Sequence, residues 1–177
     1  METYIALLRG INVNGKNRIQ MQQLTQMLID LDYYQVRTYI QSGNVVFQAD
    51  NTDTKSIAGK ISNGISQKFG YNVEVIVLTK PEFDQICSSN PYAVAPYDTE
   101  RVYITIFQTQ SEVELPEGLN ADDFLPDMFS VKGRAAYIYC PGGYGNTRLS
   151  NTFFERKTGL AATTRNLKTM RTLVSML

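Results

Sequence analysis

The stretch YIALLRGINVNGKNRIQMQQLTQMLIDL, residues 4–31, decides the fold class, because an apolar strand, a glycine-bracketed turn and an amphipathic helix follow one another directly. Tyr4 to Leu8 is a continuous apolar run of the kind a buried strand shows, and it ends at Arg9. Met21, Leu24, Leu28 and Leu31 then recur at helical spacing and make one apolar face. Between them, the residues from Gly10 through Asn12, Gly15 and Lys16 to Arg18 set two glycines, two cations and several backbone N–H groups where an anion would sit. The spacing Gly-x4-Gly-Lys is that of a phosphate-binding P-loop, with Asn17 in place of the Ser or Thr that would hold magnesium. Val73 to Leu78 runs straight into Thr79-Lys80-Pro81 with no closing Asp, which argues against a nucleoside triphosphatase. A plain strand-to-helix connection is the competing reading of the turn.

Outward from this stretch, Val36–Ile40 and Asn44–Gln48 are β-branched and aromatic and flank Gln41-Ser42-Gly43, so they predict a hairpin. Ile57, Ile61, Ile65 and Phe69 predict a second helix ended by Gly70, and Val73–Leu78 a further strand. Thr79-Lys-Pro-Glu82 is a capping box that opens a short helix, which must stop by Asn90-Pro91. The pattern then restarts. Arg101–Phe107 alternates as a strand, and the acidic 111–127 region allows at most a short helix. Met128–Lys132 and Ala135–Cys140 flank the two-residue loop Gly133-Arg134. Leu149, Phe153 and Arg156 predict a helix stopped by Gly159, and Leu167, Met170, Val174 and Leu177 a last one. The expected architecture is α+β: two ferredoxin-like β-α-β-β-α units packed as one compact protein, with halves at residues 1–92 and 93–177.

The 177 residues contain no histidine, which removes Ser-His and Cys-His nucleophile pairs, imidazole bases and the usual zinc sites; no metal site is expected. No run approaches a membrane span and Met1-Glu2-Thr3-Tyr4 lacks the basic start of a signal peptide, so a cytoplasmic protein is expected. Cys87 and Cys140 stand far apart in apolar contexts, as buried reduced thiols do. The net charge of zero hides an uneven distribution: +2 over residues 1–80, −9 over 81–131 and +7 over 132–177. Such an asymmetry can steer an anionic partner, or the two blocks can neutralise each other.

Helix starts favour acidic residues, yet Lys16 and Arg18 precede the first helix, Arg148 the one after Gly142–Asn146, and Arg165 the last. A bound anion explains this arrangement, as do solvated arginines with no ligand. Thr163 and Thr164 are read as caps of the final helix, with Asn166 beside them. Asn146, Asn151, Phe153, Phe154, Glu155, Arg156 and Lys157 form a polar and aromatic block that suits stacked bases or core packing, in which Glu155 is an ion-pair partner or a general base.

Ala6–Asn12, Tyr39–Phe47, Phe153–Lys157 and Thr163–Asn166, in this order, closely resemble a bacterial domain-of-unknown-function family, number 1697. The likeness spans almost the whole chain and implies a compact bacterial α+β protein, without implying an activity. Asn14 stands where members of that family usually show Gly, a mild departure because Asn also tolerates left-handed angles. The first half is loosely similar to acylphosphatases in its Gly-rich turn ending in Arg18 and in Asn44 near the hairpin.

Three functions fit these residues. The first is binding of a phosphate-bearing small molecule or nucleotide, with Arg9, Gly10, Asn12, Gly15, Lys16, Arg18, Ser42, Asn44, Arg148, Thr164, Arg165 and Asn166 as candidate ligand-binding residues. On this reading the Gly10–Arg18 turn and the Thr163–Asn166 helix start form one pocket. The second is His-independent phosphoryl or acyl-phosphate hydrolysis, with Arg18, Asn44 and Glu155 as candidate catalytic residues. The third is an RNA-binding or other nucleic-acid-binding module that uses the basic C-terminal part.

Overall fold

In a computed structural model that describes residues 1–50 and 53–177, the protein is α+β, with two four-stranded antiparallel sheets and five α-helices among the described residues. The chain divides into two compact units, Met1–Asp84 with Leu173–Leu177, and Gln85–Thr172.

The first unit runs β1 (Glu2–Leu8), α1 (Met21–Asp30), β2 (Tyr34–Tyr39), β3 (Asn44–Ala49), α2 (Thr54–Phe69) and β4 (Val75–Thr79), with sheet order β2-β3-β1-β4. Ile5 stands opposite Val46 on one side and Leu78 on the other, so β1 is flanked on both edges and its side chains from Tyr4 to Leu8 are all buried. Burial on both faces is why β1 reads as a continuous apolar run rather than an alternating one. Leu24, Met27 and Leu28 of α1 and Ile57, Ile61 and Ile65 of α2 share a core with Tyr4, Ala6, Leu8, Val45, Phe47, Val75 and Val77. Gly64 lets the helices approach: a Cβ there would stand 3.1 Å from Leu31 Cδ1 and 3.3 Å from Met27 Sδ. Asp53 caps α2 by accepting from the Ser56 N–H at 2.9 Å, and Gly70 ends it at a φ of 75°.

After β4, the predicted capping box forms: Thr79 N–H donates to Glu82 at 2.9 Å, opening α3 (Lys80–Ser88). The second unit then runs β5 (Val102–Phe107), β6 (Met128–Lys132), β7 (Ala135–Tyr139), α4 (Asn151–Thr158) and β8 (Ala162–Asn166), with sheet order β6-β7-β5-β8. β6 and β7 pair across Gly133-Arg134 as expected, with Phe129 opposite Ile138 and Lys132 opposite Ala135. The acidic segment contributes only a short 3-10 turn, Ala121–Phe124. Phe124 from that turn meets Phe129 and Phe153 edge-on, at ring separations of 5.6 and 5.3 Å, and Phe154 packs against Phe107. Aromatic rings thus fill part of this core. Among the described residues, no helix is long and apolar enough to cross a membrane.

One expected element is corrected. The last helix, α5 (Leu167–Met176), does not start at Thr163 to Arg165; those residues lie in β8, which pairs with β5. Asn166 provides the cap, its Oδ1 accepting from the Thr169 N–H at 2.8 Å. Threonine suits strands as well as caps, and here the unpaired edge of β5 decided between them. Neither cysteine is in a disulfide; Cys140 is buried and Cys87 half-buried, so the expectation of burial holds fully only for Cys140.

The hairpin between β2 and β3 closes against β1 at Gly43. Leu8 N–H donates to Gly43 O at 2.8 Å, the Gly43 φ is 81°, and a Cβ there would stand 2.7 Å from Leu8 Cβ and 2.8 Å from Ile11 Cδ1. Gly43→Ala combines backbone strain with a clash in a packed region and should cost about 3 kcal/mol or more, read as a lower urea midpoint.

Candidate functional site

The segment Gly10–Arg18 forms a miniature hairpin rather than a P-loop. Lys16 N–H donates to Val13 O at 3.0 Å and Asn12 N–H to Asn17 O at 3.2 Å. At its tip Asn14 has φ 51° and Gly15 φ 74°, the two left-handed angles of the tight turn that Asn-Gly favours. Asn12 and Asn17 are also left-handed, at 54° and 47°, and asparagine tolerates such angles, so Asn14 is compatible with the turn. Lys16 therefore sits on the return arm of this hairpin, well ahead of α1, and the P-loop spacing is coincidental.

The side chain of Asn12 holds the loop in place. Its amide nitrogen donates to Ile19 O and to Gln41 O, both at 2.8 Å, and its oxygen accepts from Ile19 N–H at 2.8 Å. One amide thus ties together the loop, the residue just before α1 and the β2–β3 connection. Asn17 Nδ2 adds a bond to Gly10 O at 3.1 Å.

These ties border an open cleft of about 780 Å³ in the first unit, lined by Asn12, Gly15, Arg18, Ile19, Gln20, Met21, Gln22, Gln23 and Gln41. Gln20 occupies the N-cap of α1 but its side chain makes no capping bond, and the first turn holds no acidic residue. The free N–H groups of that turn and the positive end of the helix dipole are therefore left to solvent or to a ligand. Among the described residues Arg18 is the one charged residue lining the cleft, and its Nη2 comes within 3.5 Å of where a Gly15 Cβ would stand.

Of the sequence-predicted residues, Asn12, Gly15 and Arg18 meet in this cleft, whereas Arg9, Gly10, Lys16, Ser42 and Asn44 are not among its lining residues. Arg9 follows β1 and is half-buried, and its N–H donates to Glu74 O. Asn44 is fully buried and its amide nitrogen donates to Tyr39 O at 3.0 Å and to Ser42 Oγ at 3.1 Å, which makes it a brace of the hairpin rather than a group facing solvent. The sequence reading missed Gln20, Gln22, Gln23 and Gln41. The available signal was a glutamine-rich helix start where acidic caps are usual.

In the second unit, Thr164 Oγ1 lies 2.7 Å from Thr105 Oγ1 and donates to Asn151 Oδ1 at 2.9 Å, and Asn151 Nδ2 donates to Ala162 O. Glu155 accepts from Ala162 N–H at 2.9 Å, joining α4 to β8. Arg148 donates to Asp123 O and lies over the Phe124 ring. Arg165 is in β8, where it donates to Thr163 Oγ1 at 2.7 Å and Thr164 O at 3.0 Å. Burial lowers its pKa to about 10, which leaves it cationic at neutral pH. Arg165 and the Gly10–Arg18 turn belong to different compact units.

Two four-stranded antiparallel sheets with helices, and a cleft beside an asparagine-clasped loop, define the class of this α+β protein. The family model described as "Protein of unknown function (DUF1697)" matches residues 1–137, and the chain belongs to that family. Among solved structures it is similar to a conserved bacterial protein from Streptococcus pneumoniae, with 21% identity over 99% of this chain and 98% of that one and a TM-score of 0.72. That likeness is one of fold. No curated protein matches the sequence.

Replacing Asn12 separates the clasp from the backbone angle. Asn12→Gly keeps the left-handed φ but leaves three backbone groups without their partner, and should cost about 1–3 kcal/mol in urea unfolding. Asn12→Ala should cost about 1 kcal/mol more, and both variants should speed hydrogen exchange at the Ile19 amide.

Proposed function

We propose that the protein binds a phosphate-bearing small molecule or nucleotide in the cleft beside the Gly10–Arg18 loop. The observation that carries this reading is the cleft wall. An uncapped helix start, one guanidinium and several side-chain amides face a volume of about 780 Å³, with no carboxylate lining it among the described residues. A volume of this order suits a small ligand. Arg18 and the first-turn N–H groups of α1 would hold phosphate oxygens, and the glutamine and asparagine amides would hydrogen-bond a sugar or base. Lys16, on the exposed return arm, adds attraction from outside the cleft. Binding ranks above hydrolysis, because among the described residues the lining offers neither a carboxylate nor a hydroxyl or thiol nucleophile, and the candidate base Glu155 already accepts the Ala162 N–H.

On the same footing, we read each unit as ferredoxin-like and the halves as 1–92 and 93–177. The support is the matching pair of strand orders, β2-β3-β1-β4 and β6-β7-β5-β8. In the second unit the place of α1 in the element order falls to the 3-10 turn Ala121–Phe124.

Lys16→Ala combined with Arg18→Ala should abolish the heat of binding of inorganic phosphate or a mononucleotide in calorimetry. The melting temperature should stay level or rise, because Lys16 is exposed and Arg18 lies near the positive end of the α1 dipole. An isotherm unchanged from the wild type would end the proposal.

A further inference from the structure

The chain contains two Asn-Gly pairs, Asn14-Gly15 and Asn63-Gly64, and the fold treats them oppositely. Asn63 and Gly64 lie inside α2, where the Gly64 N–H is engaged in the helical ladder and the backbone is held at helical angles. Gly64 is also packed against Leu31 and Met27. Asn14 and Gly15 are both exposed at the tip of a two-residue turn, and no hydrogen bond from the Gly15 N–H occurs among the described residues. Glycine offers no side chain to shield its nitrogen, and its wide backbone freedom lets that nitrogen swing toward the neighbouring side-chain amide.

We propose that Asn14 is a site of spontaneous deamidation through a succinimide, and that the product carboxylate weakens the anion site; this second effect rests on the function proposed above. The Gly15 backbone nitrogen attacks Asn14 Cγ, a new C–N bond closes the five-membered ring, and the Cγ–Nδ2 bond breaks. Ammonia departs carrying the proton lost from the Gly15 amide. Water then opens either ring carbonyl, giving aspartate, or isoaspartate with its main chain lengthened by one methylene. Aspartate tolerates the left-handed φ of 51° at this position, so that product keeps the hairpin. Isoaspartate breaks the two-residue turn geometry and loosens the loop that Asn12 fastens. Either product sets a negative charge beside Lys16 and near Arg18, whose guanidinium reaches back over Gly15. The carboxylate then competes with an anionic ligand for the same cations.

The test uses the full chain, held in mildly alkaline buffer for days, digested, and mapped by mass spectrometry, with a urea-unfolded sample alongside. The folded protein should gain one dalton at Asn14, with isoaspartate exceeding aspartate, while Asn63 stays an amide; both sites should react in the unfolded sample. An intact Asn14 over a period in which the unfolded chain converts would overturn the modification. Titration of Asn14→Asp with inorganic phosphate should show binding weakened severalfold, and equal affinity in variant and wild type would overturn the coupling to the anion site. If wild-type protein takes no phosphate, the binding proposal and this coupling both fail, whereas the mapping at Asn14 still decides the modification.

Discussion

The Asn12 side chain is the interaction on which the arrangement of the cleft depends. Its amide bonds to Ile19 on two sides and to Gln41, so the loop, the start of α1 and the β2–β3 connection are fastened at one point. These groups are only partly buried, and each bond taken singly is of modest value. Their joint effect is geometric. Without the clasp, a loop with left-handed residues at Gly10, Asn12, Asn14, Gly15 and Asn17 would hold no fixed relation to the helix behind it. Gly43 works with Asn12 from the other side, because only a residue without a Cβ lets the hairpin backbone meet Leu8 and Ile11.

The two units reach the same strand order by different packing. In the first, two amphipathic helices supply Leu24, Leu28, Ile57, Ile61 and Ile65 to the core. In the second, the chain between β5 and β6 is too acidic and too poor in apolar periodicity to form an amphipathic helix, and a 3-10 turn carries Phe124 to Phe129 and Phe153 instead. Phe124, Phe129 and Phe153 are partly buried and pack against the core of this unit.

Most elements were legible because their patterns were strong: the apolar run of β1, the i, i+4 isoleucines of α2, the Thr79–Glu82 box and the Gly133-Arg134 hairpin. β8 was not. Its five residues include only two β-branched ones, and Thr163 and Thr164 read equally well as helix caps; pairing with β5, a contact distant in sequence, settles their state. The loop was located correctly but given the wrong geometry. Glycine spacing suggested a phosphate cradle, whereas Asn12, Asn14 and Asn17 at positive φ, with Asn-Gly at the tip, specify a small hairpin. Asn44 was picked for a polar role that its complete burial reassigns to bracing. The glutamines of the cleft went unseen because an uncharged amide at a helix start carries little signal until the walls around it are known.

Gly64 bears on how the protein assembles. A glycine inside a helix lowers its intrinsic stability by about 1 kcal/mol relative to alanine, and α2 carries Gly59 as well. Detached from its neighbours, this segment would spend little time helical. The same missing side chain lets α1 approach closely at Leu31 and Met27. The helical state of α2 therefore depends on its packing against α1 more than on the preferences of its own residues.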